Sequence, residues 1–263
     1  MRTPAATFLG HSTVRLELAD RVVLTDPLLT GGVGPLRRVV PRLDPSAWAD
    51  VDLVLISHQH GDHLHLPSLR TLGRGTRVVV PRGSGAWLRG KGFTRVEELA
   101  PGEMLTDGAL TVTGVPAHHS GHRWGPRSER GPDALAMGHL LSDGTTTVYA
   151  AGDTDVFPEM SSLGPIDLAL LPVWGWGTSL GPGHLDPAGA ALACALLHPR
   201  HAVPVHWGTL AAVGTTTLPR VGPLMRRLLV DPPHDFAAAV AAAGLDTTVL
   251  VTAPGSPIAW PAP

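Results

Sequence analysis

Between Leu53 and Ser68 the chain reads LVLISHQHGDHLHLPS, which puts His58, His60, Asp62, His63 and His65 into eight positions directly after a run of aliphatic residues. Four imidazoles and a carboxylate crowded together disfavour one another's charged forms or compete for protons unless something cationic joins them. With 14 histidines in 263 residues, chance placement yields H-x-H-x-D-H about 0.002 times, against the donor spacing that a metal site demands. His58 and His60 alternate along an extended segment and can point the same way, as a chelating pair does. Asp62 and His63 follow where the chain turns toward a helix, and they address a neighbouring spot. Two adjacent donor sets predict two metals that share a solvent bridge; the alternative is a polar helix cap with solvated histidines.

Such a site needs donors from elsewhere, and three later segments offer them. VPAHHSGH ends a strand at Val115 and supplies His118 and His119. YAAGDTD ends another in Asp153, with Gly152 allowing close passage of the backbone. VPVHWGT ends a third in His206. One strand-terminal His or Asp is an ordinary turn or core residue, but several in one chain, each directly after an apolar strand, point to a common site.

The elements that must position these donors are short. STVRLELA (12–19) alternates as a half-buried strand does and turns through Asp20–Arg21 into VVLTDP, an antiparallel pair. VDLVLIS (51–57) is apolar nearly throughout and is expected to be a central strand covered on both faces. TRVVVP, ALTVTGVP, TTTVYAAGD and IDLALLPV read as further strands, and LPSLRTL as a helix with Pro67 near its start. Asp186 and Pro187 open a helix as N-cap and first residue, HAVPVHW returns as a strand, and an Ala-rich helix stops at Gly244 before a last strand. Strands in two groups, with helices between and after them, predict an α/β fold: an αββα sandwich of two mixed β-sheets flanked by helices, as a single domain over 1–263.

Composition narrows the function classes. A hydrophobic content of 43% supports a substantial core, and 26 prolines with 31 glycines spread along the chain read as tight loops rather than disorder. A net charge of −2 and a pI near 6.7 give no pull toward nucleic acid. The single cysteine, Cys194, rules out an internal disulfide and reads as a buried structural thiol. No membrane span and no signal peptide is legible, so a cytoplasmic protein is expected.

In this order H-x-H-x-D-H, a strand-end His, G-D-T and a late strand-end His resemble the metallo-β-lactamase superfamily over nearly the whole chain. GHSTVRLEL, VLTDPLL, VPAHHSG, AGDTDVF, GHLDPAGA and VPVHWGTL are similar to the branch of ascorbate-6-phosphate lactonase-like proteins and the N-acyl-phosphatidylethanolamine-hydrolysing phospholipase D. The resemblance implies that His58, His60 and His119 hold one divalent ion, that Asp62, His63 and His206 hold a second, and that Asp153 bridges them. His119 is preferred to His118 because the family motif PAxH places its ligand fourth. Asp26, in LTDP, matches an aspartate behind the family's site and either orients a ligand imidazole or is a turn residue before Pro27. Zinc is the expected metal, with manganese or iron as alternatives.

The same resemblance places the loop carrying His184 beside the metals. His184 then either stabilises charge or protonates a leaving group, or it is a surface histidine. Trp174 and Trp176 either wall the pocket or pack, and His11 either makes a structural hydrogen bond or sits at the site's edge. Two departures stand out: Gly61 replaces a common aromatic, and His65 replaces an acidic residue and is either an extra partner behind the ligands or, the preferred reading, an exposed helix-start side chain. The loops 123–132 and 173–184 are expected to set specificity.

The implied reaction is attack by a metal-bridged hydroxide on an ester, lactone or phosphodiester of a small-molecule or lipid-like substrate, with Asp62 and His184 as catalytic residues. A β-lactam substrate and a nuclease activity are disfavoured by the absence of an export signal and of a basic exosite. A metal-binding or sensing protein with little turnover is the alternative from another class.

Overall fold

Neighbouring residues of the buried strands belong to different cores, and this decides the layering. In the computed structural model, which describes residues 3–123, 132–175, 177 and 180–261, the first half of the chain forms β1 (Ala5–Gly10), β2 (Thr13–Leu18), β3 (Arg21–Thr25), β4 (Leu36–Arg38), β5 (Leu53–Leu55), α1 (Leu66–Leu72), β6 (Arg77–Pro81), α2 (Gly85–Arg89) and β7 (Val96–Leu99). Leu53, Leu55 and Val79 join one apolar cluster, whereas Val54, Ile56, Val78 and Val80 join another with Leu69 of α1 and Leu88 of α2. Side chains alternate across a strand, so a strand apolar at every position must be covered on both faces.

The second half forms β8 (Met104–Asp107), β9 (Leu110–Pro116), β10 (Met137–Ser142), β11 (Thr147–Ala150), β12 (Leu168–Pro172), α3 (Pro187–Leu197), β13 (His201–Val205), β14 (Leu210–Ala212), α4 (Gly222–Val230), α5 (Pro232–Ala242), β15 (Thr248–Val249) and β16 (Ser256–Pro257). One seven-stranded sheet runs β16-β1-β2-β3-β5-β6-β7, the other β15-β13-β12-β11-β10-β9-β8, and β4 pairs with β14 as a separate ribbon. The cluster holding Phe8, Leu16 and Leu55 of the first sheet also holds Val112, Leu141, Tyr149 and Leu170 of the second, and it continues into Ala190 and Cys194 of α3 and Phe236 of α5. The α/β sandwich of two mixed sheets flanked by helices is thus the observed architecture.

Strand direction explains why the donors meet. β3, β5 and β6 run parallel to one another, and β1 joins that direction through two antiparallel steps. In the second sheet β11, β12 and β13 are parallel, and β9 shares their direction through β10. The carboxyl ends of β1, β3, β5, β9, β11 and β13 therefore gather at one edge, where open α/β sheets place their sites.

Local expectations fare well where the signal is local. Asp186 caps α3 by accepting from Gly189 N at 2.7 Å, with Pro187 in the first turn, and Gly244 leaves α5 at φ +64°. The strand expected after Gly244 is only the two-residue β15; the chain then crosses to the far sheet, where Gly255 N donates to Phe8 O and Ile258 N to Ala6 O. Among the described residues no helix is long and apolar enough to cross a membrane. Residues 124–131 of one expected specificity loop, and Trp176 of the other, lie outside the described residues.

Candidate metal centre

β5 ends at Leu55, and Ile56, Ser57 and His58 continue it into the edge where the sheets converge. His58 Nε2 and His119 Nε2 lie 3.0 and 3.1 Å from His60 Nδ1, so one imidazole turns its other nitrogen to the group. Beside this trio, His63 Nε2 and His206 Nε2 each stand 3.4 Å from Asp153 Oδ2, and 3.8 and 3.7 Å from Asp62 Oδ2. His119 Nε2 is 3.9 Å from the same Asp153 oxygen, which therefore lies between the two groups. All seven residues expected from the sequence are brought together. His118 is not: its ring stacks on Phe157, with centroids 4.8 Å apart.

These spacings fit metal ions. A tetrahedral ion about 2.0–2.1 Å from each donor separates the donors by about 3.3–3.4 Å. His63 Nε2 and Asp153 Oδ1 are buried and have no hydrogen-bond partner among the described residues, an arrangement that costs stability unless a cation completes it.

The opposite ring nitrogens are held. His63 Nδ1–H donates to Asp26 Oδ2 at 2.9 Å, His119 Nδ1–H to Gly183 O at 2.6 Å, and His206 Nδ1–H to Trp174 O. Each bond fixes a tautomer that directs the lone pair of Nε2 at the centre. Ser57 ties the set together: its N–H and hydroxyl donate to the two Asp26 oxygens, both at 2.7 Å, and its Oγ lies 3.0 Å from His58 Nδ1.

Electrostatics point the same way. Burial, with His63 and His119 close by, holds His58 well below the usual imidazole range, and burial beside His119 takes His60 to about 4. Burial also lowers His119, so these three are neutral and able to ligate. Against the opposing effect of burial, His206 and His63 hold Asp153 well below the carboxylate range, and His63 with bonds from His11 and His206 does the same for Asp62. Conversely, Asp153, Asp26 and Asp62 raise His63 despite its burial, and Asp153 raises His206. Three carboxylates thus draw positive charge to this spot, which a divalent ion supplies better than two imidazolium protons do.

Several residues become informative only here. His11, at the turn after β1, is buried with φ +55°; its Nε2–H donates to Asp62 Oδ2 at 3.0 Å and its carbonyl accepts His206 N–H at 2.7 Å. His11, Asp62, His63 and His206 form one donor group, so His11 sits at the site rather than in a remote structural contact. Asp26 and His206 share the left-handed backbone, at φ +36° and +62°. Non-glycine residues hold that conformation at a cost, and such positions cluster where function demands them. Arg123, noted from the sequence only as a loop boundary, is buried and its Nη1 donates to Gln59 O and Leu64 O, clamping the donor loop at both ends.

His184 joins His119 and Asp153 in a further donor group, its ring edge-on to His119 with centroids 4.7 Å apart. Trp174 is buried, and with His184, Leu180 and Leu228 it lines a cavity of about 460 Å³. Asp155 Oδ2 accepts Gly183 N–H at 3.2 Å and so fastens the loop before His184. The expectation for His65 needs correction: it is buried, its Nδ1 is 2.7 Å from Ser68 Oγ, and Ser68 Oγ accepts Leu29 N–H. His65 therefore ties α1 to the segment after β3. At Gly61 a Cβ would meet Val33 Cγ1 at 3.0 Å, so Val33 occupies part of the space that an aromatic would need. Cys194 is buried, and burial pushes its thiol up to about 12.

The chain matches the family described as "Beta-lactamase superfamily domain" over residues 21–207. It is 30% identical over 253 residues to a UPF0173 metal-dependent hydrolase of Methanopyrus kandleri, covering 95% of this chain and 96% of that one. A UPF0173 metal-dependent hydrolase of Pyrococcus horikoshii is 35% identical over 208 residues, covering 77% and 84%. Among solved structures, Igni18, a metallo hydrolase from Ignicoccus hospitalis, superposes with a TM-score of 0.72 at 26% identity over 97% of each chain.

Proposed function

The chain belongs to the metallo-β-lactamase superfamily, and on that premise we propose that it is a metal-dependent hydrolase with a dinuclear centre. In this reading His58, His60 and His119 hold one ion, Asp62, His63 and His206 the other, and Asp153 bridges them. The observation that carries it is the meeting of these seven donors at one sheet edge, at spacings suited to coordination. Zinc suits the mixed imidazole and carboxylate set, with manganese and iron as the other candidates.

When bound, the ions supply positive charge that polarises a carbonyl or phosphoryl oxygen and acidifies water at the site to near neutrality. The chain's own residues do the rest. Asp62, held by His11, offers a fixed carboxylate that orients a water by accepting its hydrogen bond. His184 stands beside His119 at the cavity wall, where it stabilises developing negative charge or protonates a leaving group. Trp174 and Leu180 give that cavity apolar walls beside His184, against which an apolar part of a substrate can rest.

The substrate class we assign is an ester, lactone or phosphodiester of a small or lipid-like molecule. The whole chain serves as one domain around this centre. The cytoplasm is the proposed location, in keeping with a lone buried thiol.

Elemental analysis of protein purified without added metal, for wild type and Asp62→Ala, tests the centre. Close to two ions per wild-type chain and one or none in the variant support it. Turnover by the wild type on a panel of p-nitrophenyl esters, lactones and phosphodiesters tests the chemistry. Metal without turnover on any of them would replace hydrolysis with a binding or sensing role.

A further inference from the structure

We propose that a second pocket, beside the metal centre and separate from it, binds the anionic head of an amphiphilic molecule. The pocket has a volume of about 530 Å³ and lies between β4 and the turn at Pro45–Trp48. Arg37, Arg38 and Arg42 line one part of it; Leu29, Leu43 and Trp48 line another. Its lining contains no acidic residue.

The arginines carry the inference because no carboxylate among the described residues neutralises them. Arg38 is half-buried; its Nη1 and Nη2 donate to Leu28 O at 2.8 Å and Leu9 O at 3.0 Å, and its Nε–H is buried without a partner among the described residues. Arg37 donates only to Gly34 O and Leu36 O, and Arg42 makes no hydrogen bond or ion pair among the described residues. None of the three forms an ion pair with a carboxylate among the described residues. Three like charges around one cavity repel, and burying Arg38 adds a desolvation cost, so an anion seated among them relieves both.

Another arginine-lined cavity shows the contrast. There Arg21, Arg77 and Arg95 share the lining with Asp52 and Asp107, and two of the cations are already matched: Asp107 pairs with Arg21 at 3.1 Å and with Arg77 at 2.9 Å, and Glu97 pairs with Arg77. That cavity has its anions; the one at Arg38 lacks them.

The apolar wall sets the rest of the ligand. Leu29 belongs to the core that covers the outer face of the first sheet, and the partly buried Leu43 and Trp48 pack against that core, so they present a fixed surface. A carboxylate or phosphate head on the guanidinium groups with an apolar body against Trp48 satisfies both walls. The pocket also touches the centre's supports. Leu9, which receives Arg38, precedes His11 by two residues, about 7 Å of extended chain. Val39 N–H donates to Thr209 O, three residues after His206.

Calorimetric titration of the full chain with octyl phosphate tests this, with inorganic phosphate and 1-octanol as partial probes. Octyl phosphate is expected to bind more tightly than either. The variant R37Q/R42Q, which alters two exposed side chains, is expected to bind it at least tenfold more weakly, and Trp48→Ala to weaken octyl phosphate but not phosphate. Asp62→Ala is expected to leave this binding unchanged. Absence of binding, equal affinity in R37Q/R42Q with its melting temperature retained, or loss in Asp62→Ala alone would overturn the proposal. The titration needs no turnover, so its failure and that of the hydrolase reading are separate results. Should R37Q/R42Q raise KM for an anionic ester but not for a neutral one, the head belongs to the substrate; binding with no change in KM assigns it to a separate effector.

Discussion

Asp26 Oδ2 stands 2.9 Å from His63 Nδ1, across 37 residues of chain, and the same carboxylate takes both the N–H and the hydroxyl of Ser57. The end of β3 therefore sets the ring of a donor that follows β5. Replacing Asp26 with Ala frees the His63 tautomer and is expected to weaken metal binding by about 10–100-fold. Competition of wild type and variant against a chelating dye measures it. Equal affinities would reduce Asp26 to a turn residue.

Gly152 makes a second such relationship. It adopts φ +64°, and a Cβ there would lie 2.4 Å from Ser57 Cβ and 2.7 Å from Ser57 Oγ. Gly152→Ala is expected to displace Ser57 and with it His58 and Asp26, lowering stability by about 1–3 kcal/mol and metal content together. Urea unfolding and elemental analysis on the same preparation decide it. A variant as stable and as well loaded as wild type would show that the two strand ends can part without harm.

Metal removal should be felt in the fold as well as in the reaction. A chelated protein retains Asp26, Asp62 and Asp153 close together, and a tightly bound ion at 1,000 times its Kd adds about 4 kcal/mol to stability. Chelation is expected to abolish hydrolysis and lower Tm, and re-addition of one metal at a time to restore both. An unchanged melting curve after complete removal would argue against a buried site.

Acid should destabilise the protein through buried neutral histidines. Burial takes His139 from 6.5 to about 4. Its folded pKa lies below the unfolded one, so the unfolded chain binds more protons between these values, and stability is present above 6.5 and lost as pH falls toward 4. His139 alone then accounts for about 2 kcal/mol between pH 7.5 and pH 5. Unfolding measured at both values should show a smaller loss in His139→Gln than in wild type. Equal losses would mean that the imidazole gains a proton without unfolding.

The sequence by itself determined the donor types and the strands that carry them, because both signals are local. An unbroken apolar run such as LVLI (53–56) leaves a strand no exposed face, and H-x-H-x-D-H sets its spacing covalently. Asp186–Pro187 and Gly244 mark helix ends for equally local reasons. Tertiary structure alone decided which nitrogens face the centre, that His65 is buried against Ser68, that Arg123 clamps the donor loop, and that His11 reaches Asp62. It also decided that β16 returns to the first sheet and that three arginines share a cavity without an acid. These depend on hydrogen bonds and charges between residues tens of positions apart. Such contacts leave no periodicity in the chain, and a lone polar residue at a strand end looks the same in sequence whether it turns, caps or orients a ligand.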